Sequence, residues 1–134
     1  TSLAPAIVAG ALASIRHLKA SNFERERMRE RVQTLKTQLV DAGLPVMENP
    51  SHIVPVMVGD PVHCKAVTDT LLEHYGIYVQ PINYPTVPRG TERMRLTPSP
   101  VHTDAQMAAL ITALQELWAR CPVANGQYVR LAAE

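Results

Sequence analysis

Two strand patterns follow one another with no helix between them, and this adjacency limits the possible folds more than any other feature of the chain. One runs from Ile77 to Ile82 and the other from Arg93 to Thr97, joined by a loop rich in Pro, Thr, Arg and Gly. Neighbouring strands linked by a loop rather than a crossover helix pair mostly antiparallel, and helices then collect on one face of the sheet. The predicted fold is α+β, a two-layer domain with a mostly antiparallel sheet and helices packed on one face.

The helical segments carry clear stripes and stops. Ile7, Val8, Ala11, Leu12, Ile15 and Leu18 share one face of a first helix, roughly Ala4 to Lys19. Ser21-Asn22-Phe23-Glu24 reads as a capping box that opens a second helix. Its apolar positions Met28, Val32, Leu35 and Leu39 step by four, three and four, and Gly43 closes it. Asp60-Pro61 is a cap followed by proline in the first turn, and Val62, Ala66, Val67, Leu71 and Leu72 form the expected buried stripe of a third helix ended by Gly76. A second capping box, Thr103 to Gln106, starts a final helix with the stripe Met107, Leu110, Ile111, Leu114, Leu117 and Trp118. Pro122 halts it.

Two further strands are expected upstream. Leu44 to Met47 predicts a short edge strand, because Pro45 is tolerated only there. Ile53 to Val58 is a near-continuous apolar run between turn residues. It predicts a central strand, with Pro55 leaving one of its sides unpaired.

A length of 134 residues suits one domain with a real core, and 46% hydrophobic against 19% charged residues is an ordinary globular balance. Net charge is +1 without a basic block, which argues against nucleic-acid and membrane-surface partners. No apolar run has the length of a membrane span. Cys64 and Cys121 read as isolated reduced thiols of a cytoplasmic protein. The five histidines show no ligand spacing, so no metal site is expected. The chain opens without Met on Thr-Ser-Leu-Ala-Pro, a helix cap, as a piece of a larger chain would.

Arg89, Arg93 and Arg95 fall within seven residues, and the last two are spaced by the strand period. A guanidinium fork matches a carboxylate bidentately, so this is a candidate site for a small carboxylate. The alternative is a pair of exposed sheet arginines in solvated ion pairs, worth ~0–1 kcal/mol each. Thr86, between Pro85 and Pro88, has a hydroxyl held at low entropic cost, or else one that serves only its own loop. Thr1 is a helix-start hydroxyl of the kind that traps anions, or a mere cap. Lys19, Lys36 and Lys65 lack the small-residue context of a Schiff-base lysine.

The segment PINYPTVPRGTER-R-TPSP-H resembles the C-terminal part of the α-oxoamine synthases, a branch of the aspartate-aminotransferase-like (fold type I) pyridoxal-phosphate enzymes. Within that branch it is most similar to the 5-aminolevulinate synthases. TSLAPAIVAGALASIRHLK, SHIVPVMVGDP and LWARC agree, so the resemblance runs from Thr1 to Cys121. Ala4 departs from the proline usual there.

The resemblance implies a condensation of glycine with succinyl-CoA, with decarboxylation to 5-aminolevulinate, in a homodimer that uses pyridoxal 5'-phosphate (PLP). Arg95, in the R-[LIF]-[TA]-P-[ST] pattern, would clamp the amino-acid carboxylate. Thr86 would bind the carboxylate end of the succinyl group, on a loop that acts as the active-site lid with Gly90 as hinge. Thr1 would contribute to the cofactor phosphate site of the neighbouring subunit. The Schiff-base lysine and the groups around the cofactor ring map to a large domain upstream, so no catalytic residue is expected in this chain. Residues 1–134 would form a single C-terminal domain: an interface helix (1–20), an α+β core (21–121) and a tail (122–134). Two other readings stand beside this one. The chain could belong to a sibling enzyme (8-amino-7-oxononanoate synthase or 2-amino-3-ketobutyrate CoA ligase), or it could be a free-standing small-molecule-binding α+β module.

Overall fold

A computed structural model describes residues 2–120. Helices α1 (Pro5–Ala20) and α2 (Phe23–Asp41) come first. Strand β1 (Val54–Met57), helix α3 (Pro61–Tyr75), strands β2 (Gln80–Ile82) and β3 (Arg93–Leu96) and helix α4 (Asp104–Arg120) follow. The sheet has three strands in the order β1-β3-β2, and both pairings are antiparallel. The expected α+β class is what forms.

Register decides which side chains meet the helices. Val54 lies opposite Leu96 and Val56 opposite Met94, and all four are buried. Strand alternation turns the next set, with Pro55 opposite Arg95 and Met57 opposite Arg93, to the other face. Helices α2, α3 and α4 supply Val32, Leu35, Leu39, Val67, Leu71, Leu114 and Leu117 to the same core as Met94 and Leu96.

Caps and stops follow from named residues. The Asp60 carboxylate accepts from the His63 backbone N–H at 2.7 Å, and Pro61 fills the first turn of α3. Thr103 and Gln106 form a reciprocal capping box at α4: the Thr103 N–H donates to Gln106 Oε1 at 2.9 Å, and the Gln106 N–H to Thr103 Oγ1 at 3.2 Å. Gly76, at φ 67°, adopts the left-handed conformation that ends α3.

Several expectations are corrected. The box at Ser21 is not reciprocal. Its hydroxyl takes the Phe23 N–H at 3.2 Å, while the Glu24 carboxylate turns to the Ser21 hydroxyl and to His17 Nε2. The central strand is β3. β1 has one full neighbour and a single antiparallel bridge, Val46 to Val56, where an edge strand was expected over Leu44 to Met47. Pro55 has no N–H to extend that ladder. Val62 and Leu72 are exposed at 77% and 50%, because the buried face of α3 runs through His63, Cys64, Val67, Thr68 and Leu71 instead.

Helix α1 differs most. Its predicted stripe exists, but Ile7, Val8, Leu12, Ile15 and Leu18 are all exposed, and no residue of the helix is buried. Only its elbow is tied. Arg25 donates to the Leu18 and Ser21 carbonyls at 2.8 and 3.0 Å, and His17 meets Glu24 at 2.6 Å.

Candidate functional site

β3 carries both strand arginines on the face away from the helices. Arg93 is engaged there, donating through Nε to the Thr91 carbonyl at 2.9 Å and reaching Met47 Sδ through Nη1. Arg95 is exposed, and among the described residues no hydrogen-bond or ion-pair partner holds it. Gln80 of β2 lies directly opposite it.

Arg95 borders a half-open cavity of about 760 Å³ between the β2–β3 edge and the start of α4. Tyr75, Tyr78, Gln80, His102 and Gln106 line it with Arg95, over a floor that includes Met107 and Leu110. The Tyr78 hydroxyl bonds Gln80 Oε1 at 2.7 Å. His102 Nδ1 accepts the Ser99 backbone N–H at 2.9 Å, so in the neutral ring the proton sits on Nε2. A fixed charge beside amide, hydroxyl and imidazole groups in a partly apolar recess can bind a small anion and orient it.

Thr86 is exposed on the 83–91 loop and does not line this cavity. Its backbone N–H donates to the Asn83 carbonyl at 2.9 Å, while its hydroxyl has no partner among the described residues. The loop is tied internally. The Arg89 guanidinium lies 4.8 Å from the centre of the Tyr84 ring, and the Thr91 hydroxyl donates to the Pro88 carbonyl at 2.6 Å. Thr1 lies outside the described residues. Among those described, no group of three or more His, Cys, Asp or Glu side chains converges as metal ligands would.

One buried charged group escaped the sequence reading. Glu92 is completely buried. It shares strand parity with Met94 and Leu96, and that period of two was the signal that could have placed it in the core. Cys64 is buried nearby at the start of α3. Burial pushes its thiol up to about 11, against the Ile82 backbone N–H, and the Glu92 and Asp60 charges add to the rise. A thiol held protonated in this way is a packing element, not a nucleophile.

Fold and geometry together define an α+β domain with one finished face and one arginine-bearing face left open among the described residues. The chain belongs to the aminotransferase class I and II family, whose model matches residues 1–114. It is 59% identical over 125 residues to 5-aminolevulinate synthase of Rhizobium meliloti (strain 1021), covering 93% of this chain and 31% of the relative. It is 54% identical over 129 residues to 5-aminolevulinate synthase 1 of Cereibacter sphaeroides, covering 96% of this chain and 32% of the relative. The chain thus spans about a third of the length of the curated relatives it matches.

Among solved structures, SPT with PLP matches at a TM-score of 0.80 and 32% identity, over 88% of this chain and 30% of the other. Sphingomonas wittichii serine palmitoyltransferase matches at 0.80 and 28% identity, over 89% and 30%. No helix among the described residues is long and apolar enough to cross a membrane.

Proposed function

We propose that this chain is the C-terminal domain of a PLP-dependent 5-aminolevulinate synthase, where it recognises substrate carboxylates and supplies the active-site lid. Its likeness to two 5-aminolevulinate synthases over more than nine-tenths of its length supports the reading. The structural observation that carries the domain's share is Arg95, a guanidinium without a partner among the described residues on the open face. In this reading it clamps the glycine carboxylate, and the unpartnered Thr86 hydroxyl reads the distal carboxylate of succinyl-CoA.

PLP chemistry needs a lysine for the cofactor aldehyde. Lys36 is committed to the Asn49 and Ser51 carbonyls at 2.7 and 3.1 Å, Lys65 pairs with Asp69, and Lys19 is exposed on α1. None of the three lines the cavity beside Arg95. These residues do not fit the cofactor's covalent anchor, so the anchor and the electron sink are assigned to the remainder of the parent protein. Thr1 is proposed to reach the cofactor phosphate of a neighbouring subunit in a homodimer. The uncovered apolar stripe of α1 supports an interface role for residues 1–20, against the large domain or the partner. The free buried Cys64 thiol is in keeping with a cytoplasmic setting.

The test is product formation by the full-length parent. Glycine with succinyl-CoA should yield 5-aminolevulinate, while glycine with acetyl-CoA and alanine with a pimeloyl donor should be poor. Preference for either alternative pair would assign the chain to a sibling enzyme. No condensation at all would favour a binding module.

A further inference from the structure

We propose that Glu92 is a positioning residue for the 83–91 loop: its buried carboxylate holds Gly90 and so fixes where Thr86 is presented to the acyl donor. The inference rests on the reading of that loop as the acyl-donor lid. Glu92 is 0% exposed, on the core side of the chain just before β3. A carboxylate is costly in such a place unless it is well bonded. Only Oε2 has a partner, the Gly90 N–H at 2.8 Å, while Oε1 is buried without a donor among the described residues.

The sheet does not need this side chain. The backbone carbonyl of Glu92 already accepts from the Val58 and Gly59 N–H groups at 2.9 and 2.8 Å, which pins the entry to β3. The carboxylate's one hydrogen bond goes to the loop, at a glycine whose φ of 83° few other residues adopt. At the other root, Asn83 Nδ2 donates to the Pro61 carbonyl at 3.1 Å. Between these two ties the loop is braced internally by Arg89 on Tyr84 and by Thr91 on Pro88. A braced loop held at two roots moves as a unit when one root is released. Arg95 is held by β3 pairing on both sides and should not follow.

The experiment uses full-length holoenzyme with Glu92→Met, which keeps length but removes the acceptor, and Glu92→Gln, which keeps an acceptor oxygen. Loss of a charge-assisted bond predicts an increase of about ten- to a hundredfold in KM for succinyl-CoA in the Met variant. KM for glycine should change by less than about threefold, and Gln, a neutral acceptor, should recover part of the loss. Amide exchange in the peptide spanning the loop should accelerate with Met and much less with Gln. Glu92→Asp retains the charge but shortens its reach by one methylene. It carries the same expectation as Met and replaces it if Met does not fold.

Equal increases in both KM values, or a Gln variant as impaired as Met, would overturn the proposal. If the wild-type enzyme forms no 5-aminolevulinate, the functional reading falls separately. Exchange then decides the tie alone, and an unchanged loop in the Met variant ends it.

Discussion

Arg93 and Arg95 leave β3 on the same face two residues apart, yet the described residues engage only Arg93. The Thr91 carbonyl and Met47 hold Arg93, while Arg95 borders the cavity without a partner among the described residues. A charge left unpaired beside a recess is available to a ligand, and the glycine clamp is proposed at the unengaged arginine of the two.

Arg95→Leu in the full-length enzyme should therefore weaken glycine recognition. A charge-assisted bond of ~1.5–3 kcal/mol corresponds to a glycine KM raised about ten- to a hundredfold. Arg95→Lys restores charge without the planar fork and should recover only part of this. Glycine saturation like that of wild type in the leucine variant would remove Arg95 from the site.

Thr86→Val keeps the shape of the side chain and removes its hydroxyl. Succinyl-CoA should lose roughly 1–3 kcal/mol in kcat/KM, while butyryl-CoA, equal in carbon length but uncharged, should lose little. The ratio of the two specificity constants cancels general damage to the fold. An equal fall for both donors would make Thr86 a structural part of its loop.

The 134-residue chain alone should not hold PLP on one specific lysine, because Lys36 and Lys65 are engaged elsewhere and Lys19 stands on an exposed helix. Borohydride reduction with the cofactor and mass mapping should give scattered, substoichiometric labelling. A stoichiometric adduct at a single lysine would contradict this.

His63 sets a pH dependence. Burial holds its imidazole below the ordinary value, with the Asp60 charge pulling the other way. The unfolded ring, at about 6.5, takes up protons first as pH falls, so this contribution is complete above that pH and is lost on acidification towards the lower folded value. Thermal unfolding of the chain followed between about pH 7.5 and 5.5 should show a declining midpoint that is flatter in His63→Gln. Identical slopes would exclude His63 as the source.

At two helix starts where a period met a cap, the fold was legible in the sequence. The Asp60-Pro61 start and the Thr103–Gln106 box each combine two local signals that agree, and both form as expected. Extent was harder to read. Ile77 to Val79 has a strand pattern, but pairing begins only at Gln80, opposite Arg95. Val62 and Leu72 are apolar without being inward, since the face of α3 is chosen by the sheet it meets rather than by its own composition. Arg95 was visible as a strand arginine. Tyr78, Gln80 and His102 were not, because cavities arise from the approach of distant segments and leave no spacing to read.

The solitary position of α1 bears on cooperativity. A 16-residue helix that, among the described residues, is tied to the rest only at its elbow with α2 is near the limit of what survives in water by its own hydrogen bonds. Its melting is therefore uncoupled from the α+β core, and the two should answer to different stimuli. Substitutions at Leu114 or Met94 report on the cohesion of the core. If α1 takes the interface role proposed for it, substitutions at Ile7, Leu12 or Ile15 report on the surface it meets, and a scan of α1 then measures an assembly equilibrium where a scan of the core measures folding.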